Sequence, residues 1–148
     1  MNKIKLIIFS LFILTSNGFA NIRHHSTYNY QIIRVIDGDT IEFAVNFLPK
    51  SLKPSLSLRL SGIDTPDINA HAKCPEENKL GQKAKEFTTD FINNSQSIYI
   101  DIIKCDKYGG RVDGDIIGDR KSLRRALLKN HLAIPYKGDK KPNWCNIK

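Results

Sequence analysis

The sequence predicts an α+β protein built on a small five-stranded β-barrel with two packed helices. Three observations predict this class. Short segments rich in β-branched residues alternate between apolar and polar positions, and two other segments repeat with helical spacing. Hydrophobic residues make up 41% of the 148 positions, which is enough for one packed core and excludes general disorder. This length fits one domain better than two.

Five segments are predicted to be strands. They are 28–36, 40–46, 56–61, 97–104 and 111–117. Asp37-Gly38 separates the first two and is a typical tight hairpin turn. In the third strand, leucines alternate with polar residues, so Arg59 is expected on the face opposite the leucines. We expect most of these strands to pair antiparallel.

Two segments are predicted to be helices. The first is 75–94, which begins with a proline and carries an apolar stripe. The second is 123–130, for which Ser122 is the expected N-cap. Between the third strand and the first helix, 64–73 is expected to be a polar loop. The stripe of the first helix consists of Leu80, Ala84, Phe87 and Phe91.

The first twenty residues are predicted to be a signal peptide rather than part of the fold. Residues 1–5 are basic, and 6–14 form an apolar run too short to span a bilayer. Residues 18–20 form a small-x-small cleavage pattern, so we expect cleavage after Ala20 and a secreted or periplasmic protein. The alternative is an uncleaved anchor helix. No second apolar segment of spanning length follows, so no membrane association is expected after cleavage.

The remaining residues, 21–148, are expected to form one domain with a core at about 28–136 and a tail at 137–148. Three cysteines allow at most one internal disulfide and leave one thiol over. An oxidising compartment favours a disulfide over a metal site, but the sequence leaves all three pairings open. We favour Cys74 with Cys145, because the Lys- and Pro-rich tail needs a tether. Cys105, at the end of a strand, is expected to be buried.

The chain is strongly basic, with a net charge of +8 and basic residues distributed from Lys3 to Lys148. A basic globular domain favours a polyanionic partner, first nucleic acid and second an anionic membrane surface. The chain lacks the basic amphipathic helix typical of proteins that bind cell-wall or lipid surfaces.

The first segment with candidate functional residues is the predicted hairpin turn at 35–40. Two short carboxylates, Asp37 and Asp39, stand where a turn can present them to a divalent cation. The alternative is an ordinary Asp-Gly turn. An EF-hand is excluded, because Ile41 and Leu48 stand where that loop requires oxygen ligands.

The second segment runs from Arg59 to Asp67. Pro66 restricts Thr65 to an extended conformation, which can leave the Thr65 carbonyl oxygen free to coordinate an ion. Asp64 and Asp67 flank that turn. The alternative is a capping turn beside a surface arginine.

The third segment is 106–111, in which Gly109 and Gly110 allow close backbone approach to a ligand and Arg111 follows. The alternative is a solvated turn with an incidental charge. Each segment alone is a weak signal. Together, in one small basic domain, they strongly indicate a site for a cation and a phosphate.

The sequence resembles the staphylococcal-nuclease-like (thermonuclease) family from about 28 to 136. The resemblance implies an OB-fold barrel, one Ca²⁺ ion with Mg²⁺ as a second option, and hydrolysis of phosphodiester bonds in DNA and/or RNA by a monomer. The motifs that carry it are VIDGDTI, LRLSGIDTPD, GQKAKEF, DKYGGR and HLAIPY.

The resemblance also implies a role for individual residues. Metal ligands are the carboxylates of Asp39 and Asp64 and the backbone carbonyl of Thr65. Arg59 and Arg111 match the two family arginines on the scissile phosphate. The remaining matches are Asp67 as general base, Lys107 and Tyr108 near the nucleotide phosphate, and Tyr136 beside the base.

The sequence departs from the family pattern in three places. Asp67 stands where the family usually has Glu, so the side chain is one methylene shorter. One extra glycine precedes Arg111. The long C-terminal helix is missing and is replaced by 137–148.

Two functions therefore follow from the sequence. The first is an exported, metal-dependent nuclease, because a dication and two guanidinium groups would stabilise the negative charge that gathers on a phosphodiester in its transition state. The alternative is a catalytically weak or dead module that binds nucleic acid or protein on the same fold, which only Asp67 favours.

Overall fold

The computed structural model describes residues 30–45, 55–105 and 110–147. The predicted signal peptide, Lys107 and Tyr108 lie outside these residues. The strands are β1 (Ile32–Val35), β2 (Thr40–Ala44), β3 (Ser55–Leu60), β4 (Ile63–Asp64), β5 (Ile98–Cys105), β6 (Arg111–Gly118), β7 (Lys121–Ser122) and β8 (Ile134–Pro135). The helices are α1 (Pro75–Asn94) and α2 (Leu123–Lys129), with short 3₁₀ turns at Asn69–His71 and Trp144–Asn146.

The predicted α+β class is confirmed. Five longer strands form one curled half-barrel sheet in the order β1-β2-β3-β6-β5, and β7 pairs with β6. The short strands β4 and β8, which the sequence did not predict, form a second two-stranded sheet. The main sheet is mixed rather than uniformly antiparallel, because β3 and β6 pair parallel. That pairing joins the strands that carry Arg59 and Arg111.

The core lies between the concave face of the sheet and α2. Leu58 and Leu60 of β3 are almost completely buried, whereas Arg59 between them is partly exposed. This alternation agrees with the predicted placement of Arg59 on the opposite face. The other fully buried apolar side chains include Ile41, Phe43, Ile100, Ile116, Leu123 and Leu127.

Helix α1 begins at Pro75, with Cys74 as its N-cap. The residues that it buries completely are mostly small or polar, and only Ala84 of the predicted stripe is among them. Phe87 and Phe91 pack against the core at its margin. The buried hydroxyl of Thr88 donates a hydrogen bond of 2.7 Å to the carbonyl of Gly38, which ties the helix to the β1–β2 turn.

The cysteines occupy two different environments. Cys74 and Cys145 form a disulfide, with their Cα atoms 6.0 Å apart, between the start of α1 and the tail. The expectation that Cys105 is buried was wrong, because the thiol is exposed. Strand β5 lies at the sheet edge, and its last three residues are exposed.

The tail is more ordered than its composition suggests. It contains the 3₁₀ turn Trp144–Asn146, and Trp144 is only 2% exposed. The predicted polar loop at 64–73 likewise contains a buried residue, Ile68, and a 3₁₀ turn. Among the described residues, no helix is both long and apolar enough to cross a bilayer.

Gly81 provides a test of the packing between α1 and the loop before it. A glycine in mid-helix is ordinarily less stable than alanine. Here a Cβ atom would lie 2.6 Å from the Asp67 carbonyl oxygen and 2.8 Å from that of Pro66. We expect Gly81→Ala to lower the free energy of unfolding by about 1–3 kcal/mol.

Urea unfolding of the variant measures this change, and Lys83→Ala on the exposed face of the same helix is the control. The control should change the free energy of unfolding by less than about 0.5 kcal/mol. A stabilised Gly81→Ala protein would show that the loop does not pack closely on α1.

Candidate active site

A cleft of about 900 Å³ opens beside the ends of β3 and β4. Its walls come from the strands and from the tail, which lies against them. Most of the charged side chains that line it are basic, as expected for a surface that receives a polyanion. The lining includes Arg59, Asp64, Lys104, Arg111, Tyr136 and Lys141.

Two buried carboxylates meet at one guanidinium group beside this cleft. Asp39 and Asp64 are 2% and 0% exposed. Arg59 Nη2 lies 3.2 Å from Asp39 Oδ2 and 3.2 Å from Asp64 Oδ1. One guanidinium nitrogen therefore contacts an oxygen of each carboxylate, so a single positive charge serves both.

The sheet explains why these residues meet. Strands β2 and β3 pair so that Thr40 lies opposite Arg59, and Leu60 N–H donates to the Asp39 carbonyl at 2.8 Å. Asp39 is therefore fixed beside the end of β3, and Asp64 follows after the short turn into β4. Asp37 has a different role, because its Oδ1 accepts a hydrogen bond from Asp39 N–H at 3.1 Å and so shapes the turn.

Thr65 lies against the same carboxylates. Its backbone N–H donates to Asp39 Oδ2 at 3.2 Å, and the residue is 3% exposed. The structure thus brings together Asp39, Asp64 and Thr65, the three residues predicted to bind metal. Carboxylate and carbonyl oxygens are the donors that Ca²⁺ and Mg²⁺ prefer, so this donor set fits either ion.

Burial raises the pKa of Asp39 from 3.8 to about 7. The positive charge of Arg59 opposes this shift, whereas the negative charges of Asp37 and Asp64 add to it. In the metal-free protein, this carboxyl group therefore changes its charge near neutral pH.

The predicted general base, Asp67, is held by a residue of the tail. Lys141 Nζ donates to both Asp67 carboxylate oxygens, at 2.7 Å and 2.6 Å, and lies 3.8 Å from Asp64 Oδ1. Burial alone would lower the pKa of Lys141, but the Asp67 hydrogen bond and the nearby carboxylate charges leave it raised. Asp67 thus lies next to the Asp39–Asp64 pair, with Lys141 between it and Asp64.

Trp144 also contacts the site. Its indole Nε1–H donates to Asp64 Oδ2 at 2.8 Å. Neither Trp144 nor Lys141 is among the site residues predicted from the sequence; they lie 80 and 77 positions from Asp64 along the chain. One feature of the sequence could have indicated the role of Trp144. It is the single tryptophan of the chain and directly precedes Cys145, the residue predicted to tether the tail.

The remaining predicted residues lie around the cleft. Arg111 begins β6, opposite Ser57 of β3, and lines the cleft together with Arg59. Gly110, directly before Arg111, has a φ of +72°, and its carbonyl accepts from Ser57 N–H at 3.1 Å. Tyr136 also lines the cleft, and its hydroxyl donates to the Asp139 carbonyl at 2.7 Å.

A second group of potential metal ligands lies at the start of α1. Cys74, Glu77 and Cys145 place their ligand atoms within 4.8 Å of one another. The two sulfurs are bonded to each other, however, so only the carboxylate is left as a ligand. Glu77 instead accepts a hydrogen bond of 2.7 Å from Lys73 N–H, which is a structural role.

Two comparisons with known proteins find the same similarity. Residues 57–146 match the family model described as "Staphylococcal nuclease homologue". The chain is also similar to a protein of Staphylococcus hyicus named thermonuclease. The two are 31% identical over 132 residues, which is 86% of this chain and 73% of the relative.

The raised pKa of Asp39 predicts how the stability of the metal-free protein depends on pH. Between about pH 4 and 7 the folded chain holds a proton on this carboxyl group that the unfolded chain has released. This contribution to stability is therefore present at low pH and is lost as the pH rises through 7. We expect the melting temperature of the wild type to fall by several degrees more than that of Asp39→Asn between pH 5.5 and pH 8.

Thermal unfolding in EDTA at the two pH values measures this difference. Asp113→Asn, at a carboxylate whose partner is the exposed Lys104, is the control and should follow the wild type. Identical pH dependence in the wild type and Asp39→Asn would show that Asp39 titrates normally.

Proposed function

Because the chain belongs to the staphylococcal nuclease family, we propose that it is a nuclease that hydrolyses phosphodiester bonds of DNA and/or RNA. In this proposal it uses one Ca²⁺ ion, or Mg²⁺ in its place, held by Asp39, Asp64 and the Thr65 carbonyl. The observation that carries the proposal is the contact of one Arg59 nitrogen, at 3.2 Å, with two buried carboxylates beside a basic cleft.

The charges around the cleft support a nucleic acid as the substrate. Arg59, Arg111 and Lys104 line it on the side of the sheet, and Lys137 and Lys141 line it on the side of the tail. Such a cleft attracts a chain of phosphates and releases their counterions on binding. The net charge, which is +8 for the full sequence and +6 without Lys3 and Lys5 of the proposed signal peptide, adds a long-range attraction of the same sign.

In the proposed mechanism, the two arginines bind the phosphate that reacts. The neighbouring strands β3 and β6 carry Arg59 and Arg111, and both side chains border the same cleft. Guanidinium groups donate paired hydrogen bonds to phosphate oxygens, and these bonds strengthen as negative charge grows in the transition state. A bound cation would supply further positive charge to the same oxygens.

Asp67 is proposed to accept the proton of the attacking water. Its carboxylate is partly exposed. Lys141 contacts both this carboxylate and that of Asp64, so Asp67 lies close to the proposed cation site. A carboxylate within hydrogen-bonding reach of the water can perform this step. Pro66 and the packing of Gly81 against the preceding loop fix the backbone from which this shorter side chain extends.

The second candidate function is a module that binds nucleic acid or protein on the same fold with little or no catalysis. One observation favours it. Both oxygens of the proposed general base are already engaged by Lys141.

We also propose that the protein is exported, is secreted or periplasmic, and acts as a monomer. The disulfide between Cys74 and Cys145 supports this location, because disulfides persist in oxidising compartments. The signal peptide proposed for residues 1–20 would direct this export and be removed after Ala20.

A nuclease assay on labelled DNA and RNA tests the proposal. We expect hydrolysis with Ca²⁺ or Mg²⁺ and none after chelation by EDTA. Arg59→Ala and Arg111→Ala should each lower turnover by about 10²-fold or more, and lysine should restore little because it lacks the paired donors. Lys140→Ala, an exposed lysine of the tail, is the control.

The folded state of the Arg59 variants must be checked by circular dichroism, because removal of this cation leaves two buried carboxylates without it. Full activity in EDTA would contradict the proposed dependence of hydrolysis on a metal ion. Full activity of Arg59→Lys would show that charge alone is sufficient.

Asp67 variants distinguish the two candidate functions. If Asp67 is the general base, Asp67→Asn should lower turnover strongly at saturating Ca²⁺ and leave Ca²⁺ affinity within a few-fold. Asp67→Glu should preserve or raise turnover, because the longer side chain restores the reach usual in the family. An active parent whose rate is unchanged in Asp67→Asn would remove this residue from the mechanism, and an inactive parent would favour the binding module.

A further inference from the structure

Lys141 places a positive charge among the carboxylates of the proposed cation site. Its ammonium group lies 2.6 Å from Asp67 Oδ2 and 3.8 Å from Asp64 Oδ1. Arg59 contacts the same Asp64 oxygen at 3.2 Å and contacts Asp39 as well. Two cations that belong to the chain thus contact three carboxylates and offset most of their negative charge.

Covalent and polar contacts hold this lysine in place. Cys145, four positions later, is bonded to Cys74 at the start of α1. Trp144 between them is buried, and its indole donates to Asp64 Oδ2 at 2.8 Å. The tail is therefore attached at Trp144 and at Cys145, which gives the Lys141 ammonium a high effective concentration beside Asp64 and Asp67.

A divalent cation and this ammonium group compete for the same negative charge. Lys141 Nζ contacts Asp64 on the carboxylate oxygen that faces Arg59, whereas Trp144 holds the other oxygen. Charges of the same sign that lie a few ångströms apart in a partly buried site repel each other, and water screens them only in part. The Lys141 side chain is 35% exposed, so it can move out into the cleft that it lines.

We infer that Lys141 is an internal counter-ion that a divalent cation must displace, and that the disulfide-tethered tail thereby sets the metal affinity of the site. This inference rests on the proposed function, because it concerns the same cation site. In this role the tail lowers the affinity for the cation, although it also helps to order Asp64. The residue acts on the metal through Asp64 and Asp67 and has no part of its own in bond cleavage.

Calorimetric titration of Ca²⁺ into the oxidised, metal-free protein tests the inference without any activity measurement. The variants are Lys141→Met, which keeps the length of the side chain but removes its charge, and the control Lys140→Met at the exposed neighbour. We expect Lys141→Met to bind Ca²⁺ about two- to fivefold more tightly than the wild type, the range expected for loss of a partly exposed ion pair. The control removes the same net charge and should change the affinity less than twofold.

Reduction of the disulfide provides the second arm. Dithiothreitol should raise the Ca²⁺ affinity of the wild type more than it raises that of Lys141→Met. In the wild type, the released tail no longer concentrates the ammonium group at the site. An equal response of both proteins would overturn the role assigned to the tether. Circular dichroism verifies that the reduced chains stay folded, and the oxidised titration decides the role of Lys141 if they do not.

Each outcome of the oxidised titration is decisive. Unchanged or weaker Ca²⁺ binding by Lys141→Met, with a wild type that binds the ion, overturns the inference and leaves the proposed function standing. Equal tightening by Lys140→Met would reduce the effect to net charge and also overturn it. Absence of binding by all three proteins would contradict both the inference and the proposed metal site.

Discussion

The structure depends on the contact of Arg59 with two buried carboxylates. One nitrogen of Arg59 lies 3.2 Å from a carboxylate oxygen of Asp39 and 3.2 Å from one of Asp64. Both carboxylates are almost fully buried, and two buried negative charges without a cation would be costly. The strand pairing that buries Leu58 and Leu60 on one face places Arg59 on the other. The fold and the charge balance of the site therefore depend on the same segment of β3.

The tail contributes to the same site as the sheet. A disulfide, a buried tryptophan and a short 3₁₀ turn hold the tail against the rest of the chain. The indole of Trp144 contacts one oxygen of Asp64, and the ammonium of Lys141 contacts the other. The segment that the disulfide tethers thus also supplies two polar contacts to the proposed cation site.

The parts of the site that the sequence predicted are those encoded locally. Arg59 and Asp64 lie five positions apart on a strand and the turn that follows it, so the alternating pattern and the adjacent Pro66 indicated their placement. Asp39 lies in a hairpin turn that Asp37-Gly38 marks clearly. The two α-helices and the five main strands follow from periodicity for the same reason.

What could not be predicted depends on contacts between distant segments. The parallel pairing of β3 with β6 is a tertiary choice, because neither strand alone specifies its partner. Cys105 was expected to be buried, but its position on an edge strand exposes it. The hydrogen-bonded ion pair of Lys141 and Asp67 joins residues 74 positions apart, and no local pattern distinguishes this lysine from the basic residues around it.

The central claim is that Asp39 and Asp64 form one cation site with Arg59 at its edge, and the number of ions bound per chain tests it most directly. Calorimetric titration of Ca²⁺ into the metal-free wild type should give one site per chain. That site should be lost in Asp39→Asn and in Asp64→Asn and retained in Asp113→Asn, which changes a carboxylate of the same cleft paired with Lys104. An isotherm that survives both substitutions, or that Asp113→Asn abolishes equally, would contradict the account.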